Sequence, residues 1–271
     1  MRRHPRFSVG VACETRVYPI SIGYYITAKG GTALAIALIF AGGSGKRMNS
    51  AATPKQFLPM HGKPVIVYTL EHFQDHEEIG GIVIVCIREW VGKLRRMTER
   101  YGIDKVRGIV PGGATGHDSI YFGLEYMKSF AKEKDIVLIH DGVRPLITEE
   151  LITENIRAVE AFGSAITCES VKESVVESPD GESIVHVPSR DYMYIAKAPQ
   201  SFYFVDIYSI YSKAQRDGRK SIDSAHLCHI YKVPMHMIKS PKNNIKITDP
   251  MDYYVCRAIY DAMESESIWG I

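Results

Sequence analysis

Beyond residue 32 the apolar positions fall into two alternating rhythms. Short runs at 33–40, 81–87, 135–139 and 164–168 have strand length and are rich in Val and Ile. Between them, apolar residues recur at three-to-four spacing: Ile66, Leu70 and Phe73, then Ile120, Leu124 and Met127, then Leu151, Ile152, Ile156 and Val159. That spacing predicts helices with one buried stripe, whereas the continuous runs predict strands covered on both faces. Their alternation predicts an α/β fold, a mostly parallel twisted sheet with helices on both faces. Ligands of such sheets bind outside the carboxyl ends of the strands, which puts residues 41–47 and 140–144 at one mouth.

The rhythm breaks at about 169–192. "ESVKESVVESPDGESIVHVPSRD" alternates apolar and polar residues around Pro179, Asp180 and Gly181, the signature of a β-hairpin. No helical pattern is at hand to cover it, so it is expected to project as an arm. A helical stretch follows near 204–216 and a strand near 233–238. Asp249 then reads as an N-cap and Pro250 as the first residue of a C-terminal helix. With no internal repeat and no linker, residues 32–271 are expected to form one domain carrying the arm.

Charge changes the picture only at the N-terminus. The net charge is +2, yet residues 1–30 hold Arg2, Arg3, Arg6, Arg16 and Lys29 against Glu14 alone, so the remainder is mildly acidic. Neither nucleic-acid nor membrane binding is expected of such a body. Residues 1–31 faintly imitate a signal peptide, but Pro19, Ser21 and Gly23 interrupt the apolar stretch. A disordered leader or over-extended start is the expectation. The run Ala33–Phe40 is far too short for a membrane span. The five cysteines make no C-x-x-C pair, which favours a reducing, cytoplasmic setting. Cys228, His229 and His236 are expected as core or solvated side chains rather than a metal cluster.

The chemistry gathers where the first strand ends, in "ALIFAGGSGKRM" at 37–48. A Walker loop needs Ser or Thr after Gly-Lys, and Arg47 stands there; a dinucleotide fingerprint needs glycine at 48, and Met48 stands there. What remains is a glycine turn whose backbone N–H groups can approach an anion, with Lys46 and Arg47 alongside. Lys55 and Lys63 follow in "TPKQFLPMHGKPV". So many cations around one turn exceed what a monophosphate needs and suit a triphosphate.

At this point the chain resembles the cytidylyltransferases acting on alditol phosphates. The resemblance covers about residues 33–263 and rests on an ordered set: "AGGSGKRM", "PKQF", the glycine pair and "DS" at 112–119, "HDGVRP" at 140–145, "PSRDYMY" with "APQSF" at 188–202, and "NIKITDP" at 244–250. It implies a Rossmann-like nucleotidyltransferase fold and transfer of a cytidylyl group from CTP to a polyol phosphate, with release of pyrophosphate. It also implies Mg²⁺ as cofactor, held by Asp141, and a homodimer in which the arm reaches the neighbouring subunit.

Such a reaction needs alignment and charge stabilisation rather than a covalent nucleophile. Arg47 and Lys55 match family residues that stabilise the α-phosphoryl charge. Arg190 and Lys246 match residues that hold the acceptor phosphate for attack, and Ser174 keeps a hydroxyl on that side. Phe40, Ala41, Gly42, Gly43, Gly45, Gly113, Ser119 and Gly142 match the nucleotide-binding positions. Arg144 can meet either a phosphate or a carboxylate, and His140 has no proton to transfer in this chemistry. Two departures stand out. Ala114 and Gly116 lie where relatives often carry an acid and an arginine, which loosens the expectation for cytosine. Met193 and Tyr194 resemble the ribitol 5-phosphate branch, whereas Val176 and Asn243 replace a lysine and an aspartate of the methylerythritol 4-phosphate branch. The ribitol branch is favoured, with the methylerythritol branch as alternative. A non-catalytic nucleotide-binding module is the alternative of another class. A metal-dependent glycosyltransferase is disfavoured, because "HDG" supplies one carboxylate where D-x-D is usual.

Overall fold

In the computed structural model, residues 18–19, 34–43 and 53–269 are described. The first strand, β1 (Ala35–Ala41), sends alternate side chains to opposite faces. Ala35, Ala37, Ile39 and Ala41 join one buried cluster; Ile36 and Leu38 join another. Both faces therefore need helices, and the chain supplies them. On the first face lie α1 (Val65–Asp75), α2 (Val91–Arg100) and α4 (Glu149–Phe162), through residues such as Leu70, Phe73, Leu94, Ile152 and Val159. On the second lie α3 (Gly116–Met127), α5 (Phe204–Arg216) and α6 (Ser224–Ile230), through Leu124, Met127, Ile207, Tyr211 and Leu227.

The other strands of the main sheet are β2 (Ile79–Cys86), β3 (Val106–Pro111), β4 (Ile136–Asp141), β5 (Ser164–Ser170), β6 (Tyr194–Tyr203) and β7 (Met237–Lys239). Across the sheet they run β3-β2-β1-β4-β6-β5-β7, with Tyr18–Pro19 pairing along the outer edge of β3. Strands β1–β5 and β7 run parallel, β6 is antiparallel to both its neighbours, and the short Tyr18–Pro19 segment is antiparallel to β3. The chain winds outward from β1 through β2 to β3, then returns to place β4 on the other side of β1. The order reverses between β1 and β4, and the crevice beyond their carboxyl ends is where such a sheet binds ligands.

A third apolar cluster lies below that crevice. Met60, Val65, Tyr68, Val143, Leu146, Ile247 and Cys256 pack together, joining the loop after β4 to α7 (Pro250–Trp269). Asp249 caps α7 by accepting the Asp252 N–H at 3.0 Å, as its position before Pro250 predicts.

The expected strands and the three helices read from spacing are all present. Among the described residues, β3, α2, β6 and α6 were not foreseen, nor were the Tyr18–Pro19 edge pairing and the small antiparallel sheet of Pro59–Met60 with Lys63–Pro64. The last strand is shorter than its expected range, and begins only at Met237. The arm starts after Ser170, which still pairs with Tyr194, and is held as a hairpin by the bridge between Glu177 and His186. The rest of the expected leader at 1–31 lies outside the described residues. Cys228 is buried in the second cluster, and the His236 ring stacks on Phe162.

Candidate active site

The penultimate residue of β1 and the last of β4 are neighbours, because Phe40 stands in register with Asp141. The strands remain tied as they leave the sheet, through the Gly142 N–H donating to the Phe40 carbonyl at 2.9 Å. Phe40, Ala41, Gly42, Gly43, Asp141 and Gly142 therefore meet at one mouth, where the strand ends place them. Gly45, Lys46 and Arg47 lie outside the described residues.

Asp141 is the electrostatic centre of the mouth. Its Oδ2 accepts from Arg144 Nε at 2.8 Å, and its Oδ1 faces Lys246 Nζ at 2.7 Å. The Asp141 and Arg144 side chains are 14% and 8% exposed, against 40% for Lys246. Burial pushes the carboxyl's pKa up, but the Lys246 and Arg144 charges, with their hydrogen bonds, outweigh burial and hold it well below the usual carboxylate range. Arg144 thus meets a carboxylate. Its Nη1 also donates to the Asn244 carbonyl at 2.9 Å, fastening the loop that carries Lys246. The Ile247 N–H donates to the Val143 carbonyl at 2.9 Å, and the buried Ile247 side chain anchors that loop in the third cluster. Lys197, paired with Glu169, donates to the Asn244 carbonyl as well, at 3.3 Å. His140 is buried beneath, its pKa pushed down to about 3 by burial even though the Asp141 charge opposes the fall. It is a neutral packing residue, in keeping with the sequence reading.

On the β1 side, Lys55 opens a single 3-10 turn, Lys55–Phe57. A β-carbon on Gly43 would lie 3.9 Å from Lys55 Cε, so the lysine stem runs beside the glycine turn. The same lysine helps hold down the pKa of Asp252 at the start of α7, adding to the Thr248 and Asp249 hydrogen bonds that overcome burial there. Gln56, one residue on, donates its Nε2 hydrogens to the carbonyls of Ala41 at 2.7 Å and Gly43 at 3.2 Å.

The remaining positions expected from the sequence to bind the nucleotide, Gly113 and Ser119, stand at the N-terminus of α3. Thr115 caps the helix by accepting the Asp118 N–H at 3.1 Å. The Gly113 N–H donates to Ser119 Oγ at 3.0 Å, and that hydroxyl donates to the Thr115 carbonyl at 2.8 Å. Ser119 is buried and its proton is already given to Thr115, so its hydroxyl fixes the Gly113 turn. A β-carbon at Gly113 would come within 2.5 Å of Asp118 Cβ, which excludes any side chain. A β-carbon at Gly42 would lie 2.8 Å from the Phe40 ring and 3.5 Å from Ser119 Oγ, so this turn and β1 face each other across the mouth.

Ser174 and Arg190 lie on the arm, both exposed. Arg190 donates Nη1 to the Lys172 carbonyl at 3.2 Å, which sets it beside the irregular segment carrying Ser174. The structure thus gathers Lys55, Asp141, Gly142 and Lys246 around the β1–β4 crevice and pairs Arg190 with the Ser174 segment elsewhere. Gln56, Arg144 and Asn244 are the site residues whose roles sequence reading missed or left open. "PKQF" and "HDGVRP" contain the first two, but nothing in the spacing reveals which carbonyl or carboxylate each meets.

The IspD family model, described as 2-C-methyl-D-erythritol 4-phosphate cytidylyltransferase, matches residues 35–262. A ribitol-5-phosphate cytidylyltransferase of Streptococcus agalactiae serotype Ia is 47% identical over 237 residues, which cover 87% of this chain and 99% of its own. A 2-C-methyl-D-erythritol 4-phosphate cytidylyltransferase of Clostridium botulinum is 33% identical over 226 residues, 83% of this chain and 97% of its own. The crystal structure of 4-diphosphocytidyl-2C-methyl-D-erythritol synthase from Anaerococcus prevotii aligns with a TM-score of 0.74 at 28% identity, covering 84% of this chain and 96% of that one. The match across nearly the whole α/β domain, with the glycine turn, Asp141 and Lys246 at the mouth, makes this chain a member of the IspD cytidylyltransferase family.

Proposed function

We propose that this protein joins CTP to ribitol 5-phosphate, giving CDP-ribitol and pyrophosphate. The observation that carries the reading is the Asp141 cluster at the strand switch, beside a glycine turn flanked by Lys55. A phosphate-monoester oxygen attacks the α-phosphorus, the bond from that phosphorus to the bridging oxygen breaks, and pyrophosphate departs with the electron pair. No side chain needs to become covalently attached. Charge grows on the α-phosphoryl and bridging oxygens, where Lys55 and Arg47 are suited to stabilise it; losing one such donor typically costs a hundred- to thousandfold in rate, about 2.7–4 kcal/mol. Lys246 and Arg190 are suited to hold the acceptor dianion in line for attack.

The donor set also fits Mg²⁺. That ion takes one or two carboxylates together with phosphate oxygens and water. Asp141 offers one permanently ionised carboxylate, with Oδ2 fixed by a buried arginine and Oδ1 facing the more exposed Lys246. Asp141 would hold the ion, which when bound neutralises phosphate charge and polarises the α-phosphoryl group.

Ribitol 5-phosphate is preferred as acceptor because the relative named for it is 47% identical, against 33% for the methylerythritol relative, and because Met193 and Tyr194 carry the ribitol-branch pattern. The arm supports a homodimer with shared sites. Val175, Val176, Ile184, Val185, Val187 and Tyr192 are all exposed along it, an apolar surface of the kind that marks an interface. Cys86, Cys168, Cys228 and Cys256 are free and buried, which suits a reducing cytoplasm. No helix among the described residues is long and apolar enough to cross a membrane.

The test is a panel of the four NTPs with ribitol 5-phosphate, 2-C-methylerythritol 4-phosphate and a sugar 1-phosphate, assayed for pyrophosphate release with Mg²⁺. CTP with ribitol 5-phosphate is expected to give the highest kcat/KM. Preference for the methylerythritol substrate would move the protein to the other branch, and release only with sugar 1-phosphates would end the reading.

A further inference from the structure

Gln56 is a buried polar side chain in the middle of the site, 1% exposed, and the transfer chemistry assigns it no task. It is held rigidly. The Phe57 N–H closes the turn on the Pro54 carbonyl at 2.9 Å, and the Phe57 ring stacks on Trp90 at 4.3 Å between centroids. From that platform Gln56 Nε2 donates to the Ala41 and Gly43 carbonyls, flanking Gly42. In a trans peptide the C=O and N–H point in opposite directions. Drawing the Ala41 carbonyl toward buried Gln56 therefore turns the Gly42 N–H to the other side. With the Gly43 carbonyl drawn in as well, the negative ends of this backbone point at the protein. Two carbonyls turned outward would repel a triphosphate, whereas N–H groups turned outward attract it.

We propose that Gln56 is a positioning residue for the nucleotide's phosphates: its carboxamide sets the polarity of the glycine turn and, being adjacent in the chain to Lys55, fixes that turn and the lysine in one relative placement. Glutamine suits the task because one nitrogen carries two hydrogens and can bind both carbonyls at once. Neither an isosteric methionine nor an ionised glutamate can donate to either. The inference rests on the proposed nucleotide-transfer reading and adds to it the residue that orients the phosphate-facing backbone.

The experiment measures equilibrium binding of CTP with Mg²⁺, and of inorganic pyrophosphate, to wild type, Gln56→Met and Gln56→Glu by titration calorimetry, with circular dichroism to establish folding. Folded Gln56→Met is expected to bind both ligands about ten- to a hundredfold more weakly, the loss usual when the outer partner of a ligating group is removed. Gln56→Glu separates positioning from mere filling of space. Burial raises the pKa of a carboxyl group, and its protonated form can donate to one of the two carbonyls. Its affinity relative to Gln56→Met should therefore rise as pH falls from 8 to 5.5. Binding within about twofold of wild type by the folded variants, or identical pH profiles for the two, would overturn the inference. Should neither variant fold, wild type carrying ¹⁵N-glutamine is read by NMR. Slower exchange and a shift of the Gln56 carboxamide protons on adding pyrophosphate would support positioning; unchanged signals in a protein that binds pyrophosphate would refute it. A wild type that binds neither CTP nor pyrophosphate would instead bring down the nucleotide reading itself.

Discussion

Replacing Arg144 with methionine removes a buried cation from Asp141 while keeping most of the side-chain volume. The two side chains are only 8% and 14% exposed, so their contact is scarcely screened by water. Removing one partner of a buried pair typically costs 3–5 kcal/mol. Here Lys246 still faces the carboxylate at 2.7 Å, and Lys197 still donates to the Asn244 carbonyl, so the low end applies, about 3 kcal/mol. For a domain of this size that lowers Tm by roughly 6–12 °C. The pH dependence has a defined sign. Asp141 has a lower pKa folded than unfolded, so as pH falls through about 4 the unfolded chain takes up the proton first. The stability contributed by its partners is present above that pH and is lost as acid approaches the folded value. In Arg144→Met the folded pKa rises, so the stability gap between wild type and variant should narrow as pH falls below about 4, toward the wild type's depressed folded value. Denaturant unfolding at a series of pH values, on wild type, Arg144→Met, Asp141→Asn and the double variant, measures both the gap and the coupling. A loss below about 1 kcal/mol at pH 7, the value of a surface pair, or a gap that does not change with pH, would refute the placement of Arg144 as the buried support of Asp141.

Lys246→Ala should lower kcat/KM for the polyol phosphate about a hundred- to thousandfold through loss of an acceptor cation; because Lys246 faces the Asp141 oxygen a metal would take, the same variant should bind CTP with Mg²⁺ at least as tightly as wild type, and weaker binding in calorimetry would contradict that competition. If the arm is exchanged between subunits, mixing inactive Lys55→Ala and Arg190→Ala proteins should restore about a quarter of the sites at random equal pairing, since one site of each heterodimer takes its core and its arm from unmutated segments. Mixed samples shown to have exchanged subunits but lacking activity would place Arg190 in the site of its own chain.

The parts of the fold legible in the sequence are those whose burial is apolar and continuous. β1 and β2 have no polar residue to interrupt them, and α4 repeats its stripe over four turns. β6 was hidden because its buried polar residues are satisfied from far along the chain. Gln200 accepts the Ala225 N–H at 2.9 Å, and Ser201 donates to Asn155 at 2.8 Å. Read alone, "KAPQS" resembles a turn; inside the sheet it is a central strand whose partners lie 25 and 46 residues away. In α2, Val91, Leu94 and Thr98 are the buried stripe, but the arginines and lysine between them mask its short period.

The site divides along a similar line. The glycine turn and the strand-end Asp141 are consequences of local chain geometry, so adjacency in the sequence exposed them. The pairing of Asp141 with Lys246, 105 positions later, needs the third apolar cluster: Ile247 must bury against Val143 before Lys246 can reach the carboxylate. Spacing carries no trace of that requirement. The same burial also brings together in one ion pair the carboxylate proposed to hold the metal and the lysine proposed to hold the acceptor, which the motifs separate into different tasks. The buried Arg144 holds one oxygen in place, while the more exposed lysine covers the other and can be displaced with little rearrangement of the core. Pairing Asp141 this way lowers the cost of keeping a buried carboxylate ionised, and leaves Oδ1, facing the more exposed Lys246, as the oxygen that the proposed metal would take.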